Sequence, residues 1–223
     1  MDDRERRRYE MLRRVRDFGA ENAADFPAAS IGGQGFANIA AAVADLETAS
    51  GERAESQGES SQSTQRKANV REELREDLRA IAMTARSIAV DTDSEIDEQF
   101  RLPRNNSDAE LLATARGFAL AAFPHEAEFV SFGLPVEFLT DLNADIIAYE
   151  EMITAGNAAR SAGVAATAAI DEAIEKGMTA LRRIEAVVRN KYSNNAEKLA
   201  AWTSAAHVER APRAPKPPTP PQQ

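Results

Sequence analysis

Residues 139–188 carry apolar side chains at alternating spacings of three and four residues. Ten of the fifteen positions in this series are large and apolar, and three more are glycine. The series consists of Leu139, Leu142, Ile146, Tyr149, Ile153, Gly156, Arg160, Gly163, Thr167, Ile170, Ile174, Gly177, Leu181, Ile184 and Val188. A period of about 3.5 residues held over roughly seven heptads is typical of a long helix whose apolar seam faces a partner helix. At about 1.5 Å per residue, such a helix is roughly 75 Å long.

The composition of the chain favours helices over strands. Hydrophobic residues make up 43% of the sequence, but aromatic residues only 6%. This combination suits helices that pack closely through small side chains better than a β-sandwich, which needs β-branched and aromatic residues. No segment alternates apolar and polar residues in the way that a half-buried strand requires. We therefore predict an all-α fold.

The prolines divide the chain into helical segments. Pro27, Pro103, Pro124 and Pro135 lie in the body of the chain, and the other six lie in the last twelve residues. Because proline breaks a helix interior, these four positions indicate connections. The predicted helices cover residues 3–26, 34–90, 107–122, 124–132 and 135–191, followed by a short helix that carries Leu199 and Trp202.

Three helix ends have recognisable capping signals. Ser107 with Glu110 forms a capping-box pattern at the start of the helix 107–122. Gly133 before Leu134 and Pro135 indicates a C-cap followed by a new start. Asn194 with Glu197 predicts the cap of the last short helix.

The polar segment 50–69 is the main architectural question. Its sequence is polar on every side and resembles a linker, yet the three-four spacing continues through it in phase and reaches Leu74. A structureless loop of about twenty residues is uncommon inside a compact domain. We predict a continuous helix from about 34 to 90. The alternative is a compact four- or five-helix bundle in which 51–66 is a flexible hairpin.

Two antiparallel long helices predict an elongated bundle or coiled coil whose shorter helices cover each end. Residues 3–26 are expected to pack near 34–50 and 170–190, and residues 107–132 near 74–90 and 135–155. The polar segment 50–69 then faces roughly 156–175. We predict a single helical domain over 1–210 and a disordered Pro-rich tail over 211–223, because the tail composition cannot form a packed core.

No motif for catalysis or metal binding is found in the sequence. There is no cysteine, which excludes disulfides, zinc–thiolate sites and thiol nucleophiles. Neither His125 nor His207 has the Glu three residues earlier that a di-iron helical bundle requires. The acidic run from Asp91 lacks the Gly and Glu of a calcium loop, having Ile96 and Leu102 in their places. We predict no enzyme, no cofactor and no metal site.

The opening residues, the polarity of the longest uncharged run and the net charge lead us to expect a cytoplasmic protein without a DNA partner. The start MDDRERRRYEML has no apolar core, so we expect no secretory signal peptide. The longest uncharged run, residues 26–44, is too polar to span a bilayer. The formal net charge of −9 opposes DNA binding over the whole surface, because phosphates are repelled.

Two regions are candidates for interaction with other molecules. The first helix is rich in arginine, and we select Arg6, Arg7 and Arg13 as candidate contacts for RNA, an anionic membrane surface or an acidic partner. A solvated face that pairs with neighbouring acids is the simpler interpretation. Trp202 either closes one end of the bundle or anchors a partner. The proline-rich tail fits a polyproline ligand pattern as well as a simple disordered end.

The sequence LAAWTSAAHVER from Leu199 to Arg210 resembles a family of bacterial all-helical proteins with no known function. The segments from Arg71 to Ile81 and from Phe100 to Pro103 are also similar to that family. The resemblance implies a bacterial origin and a shared helical structure, and it draws attention to His207 and Arg210 beside Trp202. It implies no catalytic residues.

These features together predict a non-enzymatic structural or interaction protein, a scaffold that associates with itself or with a protein partner. The long apolar seam and the absence of a catalytic constellation support this hypothesis. The alternative is an adaptor that binds RNA or an anionic membrane surface through its Arg-rich first helix.

Overall fold

The computed structural model describes residues 1–92, 94–103 and 107–209. These residues form six α-helices and no strand, which confirms the predicted all-α fold. The helices are α1 (Asp3–Glu21), α2 (Ile31–Thr92), α3 (Asp108–Ala122), α4 (Glu126–Ser131), α5 (Phe138–Lys191) and α6 (Ala196–Ala205). Short 3-10 turns lie at Ala23–Asp25, Ile96–Gln99 and Phe123–His125. Arg210 and the predicted Pro-rich tail, residues 211–223, lie outside the described residues.

The two very long helices are confirmed. Helix α2 has 62 residues and α5 has 54. The polar segment 50–69 lies inside α2, so the flexible hairpin of the alternative arrangement is wrong. This segment is rich in Glu, Gln, Arg and Lys, which have good helix propensity. The hydroxyls of Ser50, Ser61 and Thr64 each donate to the backbone carbonyl four residues earlier, so they are satisfied without leaving the helix.

Predicted capping signals act at two of the helix ends. Ser107 Oγ accepts a hydrogen bond of 3.2 Å from the backbone N–H of Glu110 at the start of α3. Gly133 follows α4 with a φ of +102°, a left-handed conformation that favours glycine. The N–H of Gly133 donates to Val130, and the N–H of Leu134 donates to Phe129. These two bonds form a Schellman motif, which ends the helix. The C-cap predicted from Gly133 is therefore confirmed.

The cap of the last helix lies one residue later than predicted. The sequence indicated Asn194, but Asn195 has the extended backbone of an N-cap, and its side chain accepts from Lys198 N at 3.1 Å. The reason is the turn that follows α5, which extends through Asn194 before the backbone becomes extended.

The described residues divide into two compact units, of which the first contains residues 1–54 and 162–209. Helices α1 and α6 pack with residues 31–54 of α2 and 162–191 of α5. The core of this unit combines apolar side chains of all four elements: Met11, Leu12, Val15, Phe18, Phe26, Phe36, Ile39, Val43, Leu46, Ala49, Ile170, Ala173, Ile174, Ala180, Leu181, Ile184, Val188, Tyr192, Trp202 and Ala205. The predicted packing of 3–26 near 34–50 and 170–190 is therefore confirmed.

The second unit contains residues 55–161. Helices α3 and α4 pack here with residues 55–92 of α2 and 138–161 of α5. Its core consists of Leu74, Leu78, Ile81, Ala82, Ala85, Ile88, Ile96, Phe100, Leu111, Ala115, Phe118, Ala122, Phe129, Phe138, Leu139, Leu142, Ile146 and Tyr149. The predicted packing of 107–132 near 74–90 and 135–155 is confirmed as well.

Glycines allow close approach of the helices in the first unit. A Cβ at Gly35 would collide with Cγ2 of Ile184, and a Cβ at Gly177 would lie 2.6 Å from Cδ1 of Leu12. Gly32 and Gly35 of α2 therefore lie against Val187 and Ile184 of α5, whereas Gly33 lies against the backbone of Pro27. In contrast, a Cβ at Gly51 would meet no atom within 4 Å.

We predict opposite effects of alanine at Gly35 and Gly51. Gly51→Ala should stabilise the first unit by about 0.5–1 kcal/mol, because alanine has the higher helix propensity and the site is open. Gly35→Ala should destabilise it by about 1–3 kcal/mol, because the new methyl group overpacks the contact with Ile184. Urea unfolding followed by circular dichroism measures both. A Gly35→Ala variant as stable as Gly51→Ala would show that this contact is loose.

Candidate functional site

Trp202 lies in the core of the first unit. Its side chain has no exposed surface, and its ring centroid lies 5.3 Å from that of Phe18 and 6.2 Å from that of Phe36. The indole Nε1 is buried and has no hydrogen-bond partner among the described residues. Trp202 therefore joins α6 to α1 and α2, and its ring is not on the surface as a partner contact would require.

His207 is exposed just after α6. Its backbone carbonyl accepts a hydrogen bond of 2.5 Å from Nη2 of Arg14, whose Nη1 lies 3.5 Å from the carboxylate of Glu209. These side chains line an open groove of about 610 Å³ with Leu199 and Thr203 of α6. Arg14 thus ties the end of the described chain to α1.

Two of the three selected arginines of α1 make local contacts. Arg6 is exposed and lies 2.8 Å from Asp3, one turn earlier. The guanidinium of Arg13 lies 5.6 Å from the ring centroid of Tyr9. Arg7 is half-buried. The structure therefore distributes these side chains along one helix and does not bring them together around a common point.

A Tyr–Asp–Lys network connects three segments of the first unit. Tyr192 donates a hydrogen bond of 2.7 Å to Asp25, and Lys198 Nζ lies 2.6 Å from the same carboxylate. The ammonium of Lys198 also lies 4.8 Å from the Tyr192 ring centroid. The hydrogen bonds from Lys198 and Tyr192 lower the pKa of Asp25, and burial with the Asp25 hydrogen bond raises the pKa of Tyr192.

The second unit contains a network of the same three residue types. Tyr149 is fully buried and donates to Asp108 at 2.5 Å, and Lys67 pairs with the same carboxylate. Arg71 lies 3.7 Å from Asp108. Burial acts to raise the pKa of Asp108, but hydrogen bonds from Lys67 and Tyr149 outweigh it and lower that pKa. Burial and the Asp108 hydrogen bond raise the pKa of Tyr149.

The pKa shifts in the two networks favour particular protonation states of their tyrosines and aspartates near neutral pH. A tyrosine whose pKa is raised keeps its proton near neutral pH, and an aspartate whose pKa is lowered keeps its charge. The tyrosine therefore remains a hydrogen-bond donor and the aspartate a charged acceptor. The networks therefore position the segments that carry them.

A second kind of polar contact in the second unit joins Asp77 of α2 to Asp145 of α5. The two half-buried carboxyl groups are hydrogen-bonded to each other. Burial, the Asp145 carboxylate and the negative charges of Asp141 and Glu76 raise the pKa of Asp77 to about 6. Burial and Asp141 also raise the pKa of Asp145. Asp77 therefore keeps its proton to a higher pH than an ordinary aspartic acid does. Among the described residues, no group of three or more His, Asp or Glu side chains is placed to hold a metal ion.

Two surface grooves of the first unit have mixed charges around them. The groove between α2 and α5 has a volume of about 370 Å³ and an alanine floor, and the groove between α1 and α5 has about 360 Å³. The first is lined by Asn38, Ala41, Ala42, Asp45, Glu175, Lys176, Thr179, Ala180 and Arg183, and the second by Arg8, Asp171, Ile174, Glu175, Met178 and Arg182. Both grooves carry acidic and basic side chains, so neither presents charge of one sign to a ligand.

Among the described residues, an exposed apolar feature lies on the outer face of α3 and the following turn, which we call the outer α3 face. It comprises Ala113, Arg116, Gly117, Leu120 and Phe123, all of them exposed. Leu120 is 79% exposed and Phe123 is 72% exposed, and they lie one helical turn apart. The opposite side of the same helix supplies Leu111, Ala115, Phe118 and Ala122 to the core. Helix α3 therefore has two apolar faces.

Sequence reasoning did not identify the outer α3 face, although its signal is present. The spacing of 113, 117, 120 and 123 is as regular as that of 111, 115, 118 and 122. Periodicity indicates that a face is apolar, but it does not say which of two apolar faces the core covers. Only the packed structure distinguishes them.

Two further findings concern membrane-spanning helices and similarity to known proteins. Within the described part of the chain, no helix combines the length and apolar character needed to cross a membrane. No family model, curated protein or solved structure matches the chain. The candidate site therefore rests on the geometry of the outer α3 face.

The Asp77–Asp145 pair predicts a pH-dependent effect on stability. The pKa of Asp77 is about 6 in the folded protein against an ordinary value of 3.8. The folded state therefore keeps a proton that the unfolded state releases, and this contribution is lost as the pH rises from about 4 through about 6. Asp77→Asn should stabilise the protein near pH 7.5 by about 1–2 kcal/mol, a value reduced by solvent screening, and by much less near pH 4.5.

Unfolding in urea at the two pH values, compared with the wild type at each, measures this difference. Glu73→Gln is the matched control, because it removes an exposed acid from the same helix. It should change stability little at either pH. An Asp77→Asn effect on stability of equal size at both pH values would contradict the raised pKa of Asp77.

Proposed function

We propose that this protein is a non-enzymatic helical interaction protein, a scaffold that contacts a protein partner through the outer α3 face. The observation that carries the proposal is the neighbouring exposure of Leu120 and Phe123 on a helix whose other face is already buried. A leucine or phenylalanine side chain gains about 1.5–3 kcal/mol when it is fully removed from water. Exposed apolar side chains that adjoin one another mark interaction sites more often than singly scattered ones do.

Two other exposed apolar side chains of the described residues, both in α2, contrast with this face. Met83 and Val90 of α2 are 67% and 87% exposed, but Arg86 and Ser87 are exposed between them. Single exposed apolar residues are common on protein surfaces and need no partner. The outer α3 face differs because Leu120 and Phe123 lie one helical turn apart on the same side.

The titratable networks also support a non-enzymatic function. Both tyrosines have raised pKa values, and both aspartates that accept their hydrogen bonds have lowered ones. The side chains of these two networks are far apart in the sequence, and their hydrogen bonds hold the helices together.

We predict that a photo-reactive benzophenone amino acid at position 120 crosslinks to one defined protein in the native cells. The same group at position 83 should not, because Met83 is exposed outside the outer α3 face. Phe123→Ser should suppress the adduct at 120 while leaving the circular dichroism spectrum unchanged. Mass spectrometry identifies the adduct, and purified components then reproduce it. A second copy of this chain in the adduct would assign self-association to this face.

Equal crosslinking from positions 83 and 120, or an adduct that Phe123→Ser leaves intact, would contradict the proposal. Both results would mean that the outer α3 face has no special role. Persistence of the circular dichroism signal is expected because Phe123 makes no part of the core.

The alternative adaptor function, which uses the Arg-rich first helix for RNA or an anionic membrane surface, receives less support. Met11, Leu12 and Val15 of α1 are buried in the first unit, so the helix offers no apolar face to a bilayer. Arg16 lies 3.7 Å from Glu47 and Arg14 lies 3.5 Å from Glu209. These acids neutralise part of the basic surface.

We therefore expect no salt-dependent binding to RNA or to phosphatidylserine vesicles. The measurement compares the wild type with a variant that combines Arg6→Ala, Arg7→Ala and Arg13→Ala at about 0.05 and 0.2 M salt. Wild-type binding that weakens steeply with salt and is lost in the variant would favour the adaptor function instead.

A further inference from the structure

The outer α3 face has features that identify the class of its partner, and this inference rests on the function proposed above. We infer that the face binds a basic amphipathic helix of a partner protein. Three features of the molecule support this inference: the shape of the face, the glycine within it and the charge of the unit that carries it.

The shape of the outer α3 face fits a helix. Its residues follow spacings of four, three and three from Ala113 through Gly117 and Leu120 to Phe123. An amphipathic helix that packs against another surface helix makes contacts at this kind of spacing. Small side chains at 113 and 117 followed by large ones at 120 and 123 give a step on which a second helix can rest.

Gly117 is the second observation. A Cβ at this position would meet no atom within 4 Å, so the packing of the second unit does not require glycine. Glycine nevertheless destabilises a helix interior relative to alanine. Close approach of another helix backbone accounts for a residue that the fold itself does not need. Gly51 and Gly58 are also open, but they lie in the polar segment of α2 without large apolar neighbours.

The charge of the second unit selects a basic partner. Residues 55–161 contain twenty of the 36 acidic residues but only ten of the 27 basic residues. Glu110 precedes the outer α3 face by three residues, and Glu126 follows it by three. Arg116, the basic residue of the face, pairs with Glu150 of α5. The apolar step is therefore bounded by acids, and its own cation is already neutralised.

The same charges disfavour a second copy of this chain on this face. Two identical outer α3 faces would bring their flanking glutamates together, and like charges within a Debye length of about 10 Å repel. A basic helix instead gains attraction at each end of the apolar contact, which also accelerates its association. Charge complementarity thus supports a partner of opposite charge.

Three labelled peptides of about 18 residues test the inference, because this length matches a helix slightly longer than α3. All three have the same leucine and alanine stripe, and their polar faces are lysine-rich, glutamate-rich or glutamine-rich. Fluorescence anisotropy measures their binding to the full chain. The lysine-rich peptide should bind at least about tenfold more tightly than the glutamate-rich one, and less tightly as salt is raised.

Gly117→Gln is the decisive variant, because stability and binding should change in opposite directions. Glutamine has a higher helix propensity than glycine and meets open space, so the thermal midpoint should rise. Its side chain blocks close approach, so the affinity for the lysine-rich peptide should fall by about tenfold or more. Val90→Ser, an exposed apolar change elsewhere in the second unit, should leave the affinity unchanged.

Several results would overturn the inference. They are equal binding of the basic and acidic peptides, an affinity that Gly117→Gln does not change, and a dimer detected by light scattering that Gly117→Gln dissociates. If the crosslink at position 120 forms but the lysine-rich peptide does not bind, the inference fails and the proposed function stands. If neither is observed, both fail.

Discussion

Burial of the apolar stripes of α2 and α5 is the interaction on which each unit depends. In the first unit, residues 31–54 of α2 and 162–191 of α5 contribute most of the core, and in the second unit 55–92 and 138–161 do so. Isolated helices gain little stability from propensity alone, so helices of 62 and 54 residues need this tertiary packing. The shorter helices then cover the apolar surface that the long pair leaves open in each unit.

A recurring polar device fixes the shorter segments to the long helices. In the first unit, Tyr192 in the turn after α5 donates to Asp25 in the turn after α1, and in the second unit Tyr149 of α5 donates to Asp108 at the start of α3. A lysine from a third segment completes each network. A buried phenol hydroxyl requires a partner, and a charged acceptor makes that bond stronger. The two networks therefore define where each connection must lie.

The outer α3 face and the Asp77–Asp145 pair are the features that the fold does not need for its own stability. The first exposes Leu120 and Phe123 to water, and the second places two carboxyl groups in contact. Neither feature can be inferred from α-helix periodicity. The apolar face is unused by the core, whereas the carboxyl pair makes the second unit sensitive to pH. These departures from a stability optimum are where a function is most readily placed.

The sequence by itself determined the all-α class, the two long helices, the helical continuity of 50–69 and the helix-end signals at Ser107 and Gly133. Those properties depend on period and on local capping, which are encoded within a few turns of the chain. The tertiary structure decided that Trp202 is a core residue, that Asp77 meets Asp145, and which face of α3 remains exposed. These outcomes depend on contacts between residues far apart in the chain, and α3 carries apolar residues on both faces. Local pattern carries no information on which of them packing will cover.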